Sequence, residues 1–384
     1  MADASLVTTP VQLAAVAREL AGAKRIAVDL ESNGLFAYRA CVCIVQIAAA
    51  GRVVLVDALA TPLDALRDLL GPSGPVKVIH DVAFDARVLA EAGVVLGNAQ
   101  DTALAARMLG KAATGLAALL QSELGVSIDK KMQHHDWGVR PLDAHALAYL
   151  AEDVVHLEPL ADVLFGAVEE RGIAQAIAEE TRYRIAQAVE AAGADDPRPP
   201  WVRLKGIEKT PAAELPILRR LAALREEKAR ALDVPPYKVL APDVLFAIAQ
   251  AKPRTEAELG KVRGALQGRR AQSLARDVLR AVAAGLADGG VPENELAMIT
   301  RPRVPANVMR ARRAREQRLS KWRRDEAKKR GVDEQVVLPG HCLQECADLD
   351  EASLESLSQV RGIGTFRVER DGAALLAALR GDGS

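Results

Sequence analysis

Slid 98 residues along itself without a gap, the second half of the chain meets its own pattern again. Leu224-Arg225 falls on Trp322-Arg323, Ala229 on Ala327, Val234 on Val332 and Val239-Leu240 on Val337-Leu338. Leu245 falls on Leu343, Ala249 on Ala347, Leu259 on Leu357, and Val262-Arg263-Gly264 on Val360-Arg361-Gly362. Most of these positions are apolar, so the two copies are expected to bury equivalent side chains in one kind of core. Turns such as Asp233-Val234-Pro235-Pro236 and Gly362-Ile363-Gly364 punctuate helical patterns, which makes each copy a small all-helical bundle. Pro- and Gly-rich stretches read as linkers, and the chain divides as 1–190, linker 191–205, first bundle 206–288, linker 289–307 and second bundle 308–384. The expectation is three beads on a string, with residues 206–384 separable from the first bead.

Residues 1–190 read differently. Short apolar runs near Arg25–Leu30, Cys41–Ala48, Arg52–Asp57 and Val76–Ile79 alternate with helical stretches, the pattern of an α/β domain with a mixed sheet. The connections among the first three are short, which favours antiparallel neighbours. Acids stand where these elements end. In Ile26-Ala27-Val28-Asp29-Leu30-Glu31, strand alternation puts Asp29 and Glu31 on one face. Asp85 follows the strand Val76–Ile79 near the start of a helix. Pro141 to Leu164 has helical periodicity with Asp143 as N-cap, so Tyr149 and Asp153, at i and i+4, share a face.

A lone Asp-x-Glu at a strand end is usually just solvated. Here Asp29 sits within an apolar strand, where an unpaired carboxylate is costly, and three acid-bearing segments recur in order. Such a set suits phosphodiester hydrolysis. Two divalent ions about 3.5–4 Å apart can activate a water and stabilise the leaving oxygen, and they require several hard anionic oxygens. A phenol beside the water can orient it, although its ordinary pKa of about 10 makes it a poor base.

These segments resemble the ribonuclease D family, of the DEDD superfamily of 3′–5′ exonucleases and its tyrosine-bearing subtype. The resemblance rests on Asp29 with Glu31, on Asp85 five residues after His80, and on Tyr149 with Asp153. Between them, Asp101-Thr102-Ala103-Leu104-Ala105-Ala106-Arg107-Met108-Leu109-Gly110 and Asp136-Trp137-Gly138-Val139-Arg140-Pro141-Leu142 are also similar to the family, and both helical copies resemble its HRDC domain. What the resemblance implies is a ribonuclease H-like fold followed by two HRDC-like bundles. It also implies two Mg²⁺ (or Mn²⁺) ions held by Asp29, Glu31, Asp85 and Asp153, Tyr149 positioning the water, and release of 5′-mononucleotides from the 3′ ends of structured RNA such as tRNA precursors. A DNA-directed exonuclease on the same fold is the nearer alternative, and a non-catalytic RNA-binding protein the more distant one.

The formal charge of zero hides a division. Residues 1–180 carry 14 Lys and Arg against 23 Asp and Glu, and residues 181–384 carry 37 against 28. The acidic half suits cations and the basic half a polyanion. The densest basic stretch, Arg301 to Arg330, holds 13 basic and 3 acidic residues. No apolar run reaches the 18–20 or so residues of a membrane span, and the first residues lack a signal-peptide pattern, so a cytoplasmic location is expected. His341, Cys342 and Cys346 have no evident fourth partner for zinc and are expected to be structural.

Overall fold

The structure, a computed structural model, describes residues 3–129, 131–193, 196–266, 272–300, 305–349 and 351–381. Residues 301–304 of the basic stretch, 194–195 of the first expected linker and the last three residues of the second bundle lie outside the described residues.

Strands β1 (Asp3–Val7), β2 (Arg25–Ser32), β3 (Val42–Ala49), β4 (Arg52–Asp57), β5 (Val76–Ile79) and β6 (Ala99–Asp101) form one sheet in the order β1-β4-β3-β2-β5-β6. β2, β3 and β4 are antiparallel neighbours, as their short connections require, while β1 on β4, and β5 and β6 beyond β2, pair parallel. The sheet is mixed. Its two edge strands escape sequence reading because each is short and one begins just after Asn98 in a left-handed conformation.

Helices cover both faces. One face, with Val28, Leu30, Val45 and Ile47, packs on α1 (Pro10–Leu20) and on α3 (Val82–Glu91), which follows the short α2 (Arg67–Leu70). The other carries Ala27, Ile44 and Ala48. After α4 (Thr102–Met108) and α5 (Leu116–Leu119), it receives α6 (Ala144–Val155) and α7 (Leu157–Glu170) through Leu150, Val154 and Leu157. The single helix expected from Pro141 to Leu164 is thus two, broken at His156. Pro159 has no N–H to give the Val155 carbonyl, so the first helix cannot run on through it. α8 (Ala174–Ala191) closes this part of the fold.

The three beads give way to two compact units, one of residues 1–32, 41–193 and 304–384, the other of residues 33–40 and 194–303. The smaller unit holds α9 (Leu215–Ala231), α10 (Pro236–Val239), α11 (Pro242–Ala251), α12 (Glu256–Leu259), α13 (Ala275–Ala287) and α14 (Glu293–Ile299). Both expected linkers are partly packed into it. Trp201, Val202 and Leu204 are buried in its core, and α14, inside the second, supplies Glu295 to Arg219 and to the Trp201 indole N–H at 2.6 Å. Apolar side chains between Pro and Gly, not their absence, decide whether such a stretch is free. The smaller unit also includes the segment that follows β2. There the Tyr38 hydroxyl donates to Glu226 at 2.6 Å, its N–H donates to Asp233 at 3.1 Å, and Lys238 lies 4.2 Å from the Phe36 ring centre.

The second bundle comprises α15 (Ala306–Arg330), α16 (Glu334–Val337), α17 (Gly340–Asp348), α18 (Leu354–Ser358) and α19 (Thr365–Arg380). It follows the first element by element at the 98-residue shift: Pro236–Val239 on Glu334–Val337, and Glu256–Leu259 on Leu354–Ser358. Gly264 and Gly362, matched by the shift, both take positive φ, 87° and 79°. Ala229 and Ala327, Leu240 and Leu338, and Leu259 and Leu357 are all buried, and so are Cys342 and Cys346.

Unlike the first, the second bundle is part of the nuclease unit. Val336 lies in the same core as Leu104, Leu160 and Ile177. Arg367, fully buried, donates to the carbonyls of Ile363, Val336 and Ala176 at 3.1–3.3 Å, tying α19 to α8. His341 stacks on Tyr183 with ring centres 4.1 Å apart. Residues 206–384 are therefore not separable as one block. Among the described residues no helix is long and apolar enough to cross a membrane.

Candidate active site

β2 delivers the first two acids. Asp29 pairs in register with Gln46 and Glu31 with Ile44, and a bulge follows Glu31. Since Val28 and Leu30 fill the core on one face, Asp29 and Glu31 point to the other, where α6 lies. Asp143 caps α6 by accepting the Ala146 N–H at 2.8 Å, and the helix presents Tyr149 and Asp153, both buried, to the same space.

Asp85 is placed by a more elaborate device. Asp101, wholly buried at the end of β6, accepts the N–H groups of Asp81 and Val82 at 3.1 and 3.2 Å and that of Leu104 at 3.0 Å. One carboxylate thus fixes the entries of α3 and α4. Asp81 is held in the left-handed region, φ 67°, a strained setting for a residue with a Cβ that redirects the chain into α3. One turn on, Asp85 is buried facing the acids of β2.

The electrostatics show the convergence. Burial pushes the Asp29 carboxyl up to about 6. Burial, then the charges of Asp29 and Asp153, push Glu31 up to about 9. Burial and then Asp29 push Asp153 up to about 7, and Asp85 is driven well above the carboxylate range by burial, then by Asp29, Asp81, Asp101 and Glu31. Tyr149 is raised by burial first and then by the charge and hydrogen bond of Asp153, so its hydroxyl stays protonated. Each of the four acids resists ionisation through desolvation, and for Glu31, Asp85 and Asp153 acidic neighbours add to that resistance, the situation a divalent cation relieves. Among the described residues, no three His, Cys, Asp or Glu side chains are close enough to enclose an ion in the conformation adopted. The chemistry of the donors nevertheless fits one: hard carboxylate oxygens from three elements, mutually repelling and facing one space.

Three contributors were not assigned a role from sequence. Gln46 is fully buried across from Asp29, and neither its amide nitrogen nor its oxygen has a partner among the described residues. Its signal was visible, a lone amide in an otherwise apolar strand. Trp137 stacks on Tyr149 at 5.8 Å and 26°, bracing the phenol. Arg140 grips Asp57 with two nitrogens, at 2.6 and 2.8 Å, and binds the carbonyls of Trp137 and Cys43, which anchors the Trp137 segment to the sheet.

Residues 5–168 match the family model for a 3′-5′ exonuclease, and residues 214–282 and 312–379 each match the HRDC domain. A ribonuclease D of Nitrobacter hamburgensis is 30% identical over 306 residues, 79% of this chain and 78% of that protein. The chain belongs to the ribonuclease D family. A second ribonuclease D, from a Jannaschia species, is 31% identical over 79% of this chain and 78% of its own length. The crystal structure of Escherichia coli RNase D superposes with a TM-score of 0.69 at 22% identity, covering 99% of each chain, and so shares the whole fold. A Bifidobacterium adolescentis protein superposes at 0.76 with 21% identity, over 98% of this chain and 97% of that one. As a ribonuclease D family member the chain is a 3′–5′ exoribonuclease, and the exonuclease family is divalent-metal dependent.

Proposed function

We propose that this exoribonuclease trims the 3′ ends of structured RNA, tRNA precursors among them, and releases 5′-mononucleotides by a two-metal hydrolysis. Asp29, Glu31, Asp85 and Asp153 would hold two Mg²⁺ (or Mn²⁺) ions. The observation that carries this reading is the convergence of four carboxylates from β2, α3 and α6, Asp85 and Asp153 buried and Asp29 and Glu31 half-buried, in which the charge of Asp29 raises the other three. Bound there, the ions would lower the pKa of the attacking water and neutralise charge at the scissile phosphate.

The chain's own residues do the rest. Tyr149 keeps its proton and donates it to Asp153, so the phenol is not the base and its oxygen is left to accept from the attacking water and orient it. Asp153, hydrogen-bonded to that hydroxyl, fixes its direction, and Trp137 fixes the plane of the ring. Gln46 offers a spare amide donor and acceptor across from Asp29. The test is digestion of a labelled RNA with a free or a blocked 3′ end, with and without Mg²⁺, beside a matched DNA. Mononucleotides from the free-ended RNA alone, and only with metal, are expected. Equal cleavage of the blocked RNA, or of the free RNA in EDTA, would overturn the reading.

A further inference from the structure

The long helix α15 has a face that the fold leaves unused. Of its eleven basic residues, six are committed within the bundle. Arg312 pairs with Asp348 at 2.6 Å, Arg315 and Arg318 bind the carbonyls of Ala347 and Ala378 at 2.8 Å, and Arg323 pairs with Glu334 at 2.9 Å. Lys329 and Arg330 pair with Glu326 at 3.7 and 2.7 Å. The remaining five, Arg310, Arg313, Lys321, Arg324 and Lys328, are exposed, and none has a partner among the described residues.

These five are not scattered. At about 100° per residue their spacing confines them to an arc of about 80°, opposite the buried Leu319, and at about 1.5 Å per residue the row runs for about 27 Å. Exposed Gln317 fills the gap in the row, while Glu316 and Asp325 fall to either side of it. Like charges three and four apart on a helix repel, each pair costing roughly 0.2–0.5 kcal/mol, so the fold does not gain from this row.

The first bundle provides an internal control. At the 98-residue shift the five positions are Ala212, Leu215, Ala223, Glu226 and Arg230. There Leu215 is buried, Glu226 accepts the Tyr38 hydroxyl, and Arg230 lies 5.5 Å from the centre of the Tyr38 ring. One copy occupies part of this face within its own unit through Leu215, Glu226 and Arg230, Ala212 and Ala223 being exposed, and the other leaves it open and uniformly positive.

We infer that this row on α15 is a docking surface for the sugar-phosphate backbone of RNA, gripping the body of the molecule whose 3′ end is trimmed. This rests on the reading of RNA as substrate. A row of separate cations, without an exposed aromatic among them, contacts phosphates and carries no sequence preference. The two bundles therefore have different duties, the second holding RNA through α15.

The test replaces the five residues together (Arg310→Gln, Arg313→Gln, Lys321→Gln, Arg324→Gln, Lys328→Gln) in the full chain, glutamine being a comparable helix former. Binding of a 3′-blocked hairpin RNA is titrated against salt in Mg²⁺. A control variant neutralises five exposed cations elsewhere (Lys24→Gln, Arg107→Gln, Lys205→Gln, Lys209→Gln, Arg276→Gln). The slope of log affinity against log salt should become shallower by roughly 3.5–4.5 in the row variant if all five contact phosphates, and far less in the control. Turnover of a short free-ended oligonucleotide should stay at the wild-type level in the row variant. An unchanged slope, or an equal change in the control, would overturn the inference and leave the row to a protein partner. Failure of wild-type chain to digest RNA would instead overturn the substrate reading.

Discussion

Glu179 on α8 accepts the backbone N–H of Phe366, in the first turn of α19, at 3.1 Å, and the Thr365 hydroxyl at the same distance. A nuclease side chain thus caps a helix of the second bundle. Gly364, at φ 75°, makes the approach possible, because a Cβ there would lie 1.8 Å from the Glu179 carboxylate.

Removing this brace should weaken the whole larger unit. Glu179→Ala uncaps α19 and should cost roughly 1–3 kcal/mol, and Arg367→Met removes the buried donors that tie the carbonyls of Ile363, Val336 and Ala176 together, at a cost of roughly 2–4 kcal/mol. Denaturant melts of the full chain measure both. A midpoint unchanged in both variants would mean the second bundle does not support the nuclease.

Asp29→Asn, Glu31→Gln, Asp85→Asn and Asp153→Asn should each abolish most turnover at saturating Mg²⁺ while RNA affinity, measured with a 3′-blocked hairpin, stays near wild type. Near-normal rates in any two would refute the metal assignment.

Tyr149→Phe deletes one oxygen and keeps the stack with Trp137. Single-turnover rates should fall roughly 10²–10³-fold with metal affinity unchanged. A wild-type rate would remove the phenol from the mechanism.

Stability should depend on pH in the opposite sense to that of ordinary ion-paired acids. Carboxyls raised in the folded state hold protons that the unfolded chain, with pKa values near 4, has already released. Folding therefore loses stability as pH rises towards the folded values, about 7 for Asp153 and about 9 for Glu31. The cleanest window is about pH 7–7.5. There His80 and His341, both lowered, are neutral in the folded state and mostly neutral in the unfolded one, and Lys77, lowered to about 8, is still mostly charged. In EDTA the melting temperature should fall across this window, and Mg²⁺ should flatten the fall by favouring the ionised acids. A metal-independent, level profile would contradict the site electrostatics.

Much of this was legible in sequence because period and chemistry coincided. Strand alternation fixed the shared face of Asp29 and Glu31, helical spacing that of Tyr149 and Asp153, and the 98-residue shift anticipated paired helices, whose matched Gly264 and Gly362 both prove to take positive φ. What stayed hidden was non-local. Asp101 holds Asp81 from 20 residues away and Arg140 holds Asp57 from 83, and neither distance leaves a periodic trace. Nor could local composition reveal that one bundle would fasten on α8 while the other took in the segment after β2.

That segment has an evolutionary consequence. Its eight residues, 33–40, begin two positions after Glu31 and are tied to Glu226, Asp233 and Lys238 of the first bundle. A lineage that discarded this bundle would release them to wander, and fixing them again would cost roughly 1–2 kcal/mol per residue in backbone entropy. The domain is thus harder to lose than its place in the chain suggests, since its departure would free the segment that leads out of the strand bearing the first two acids.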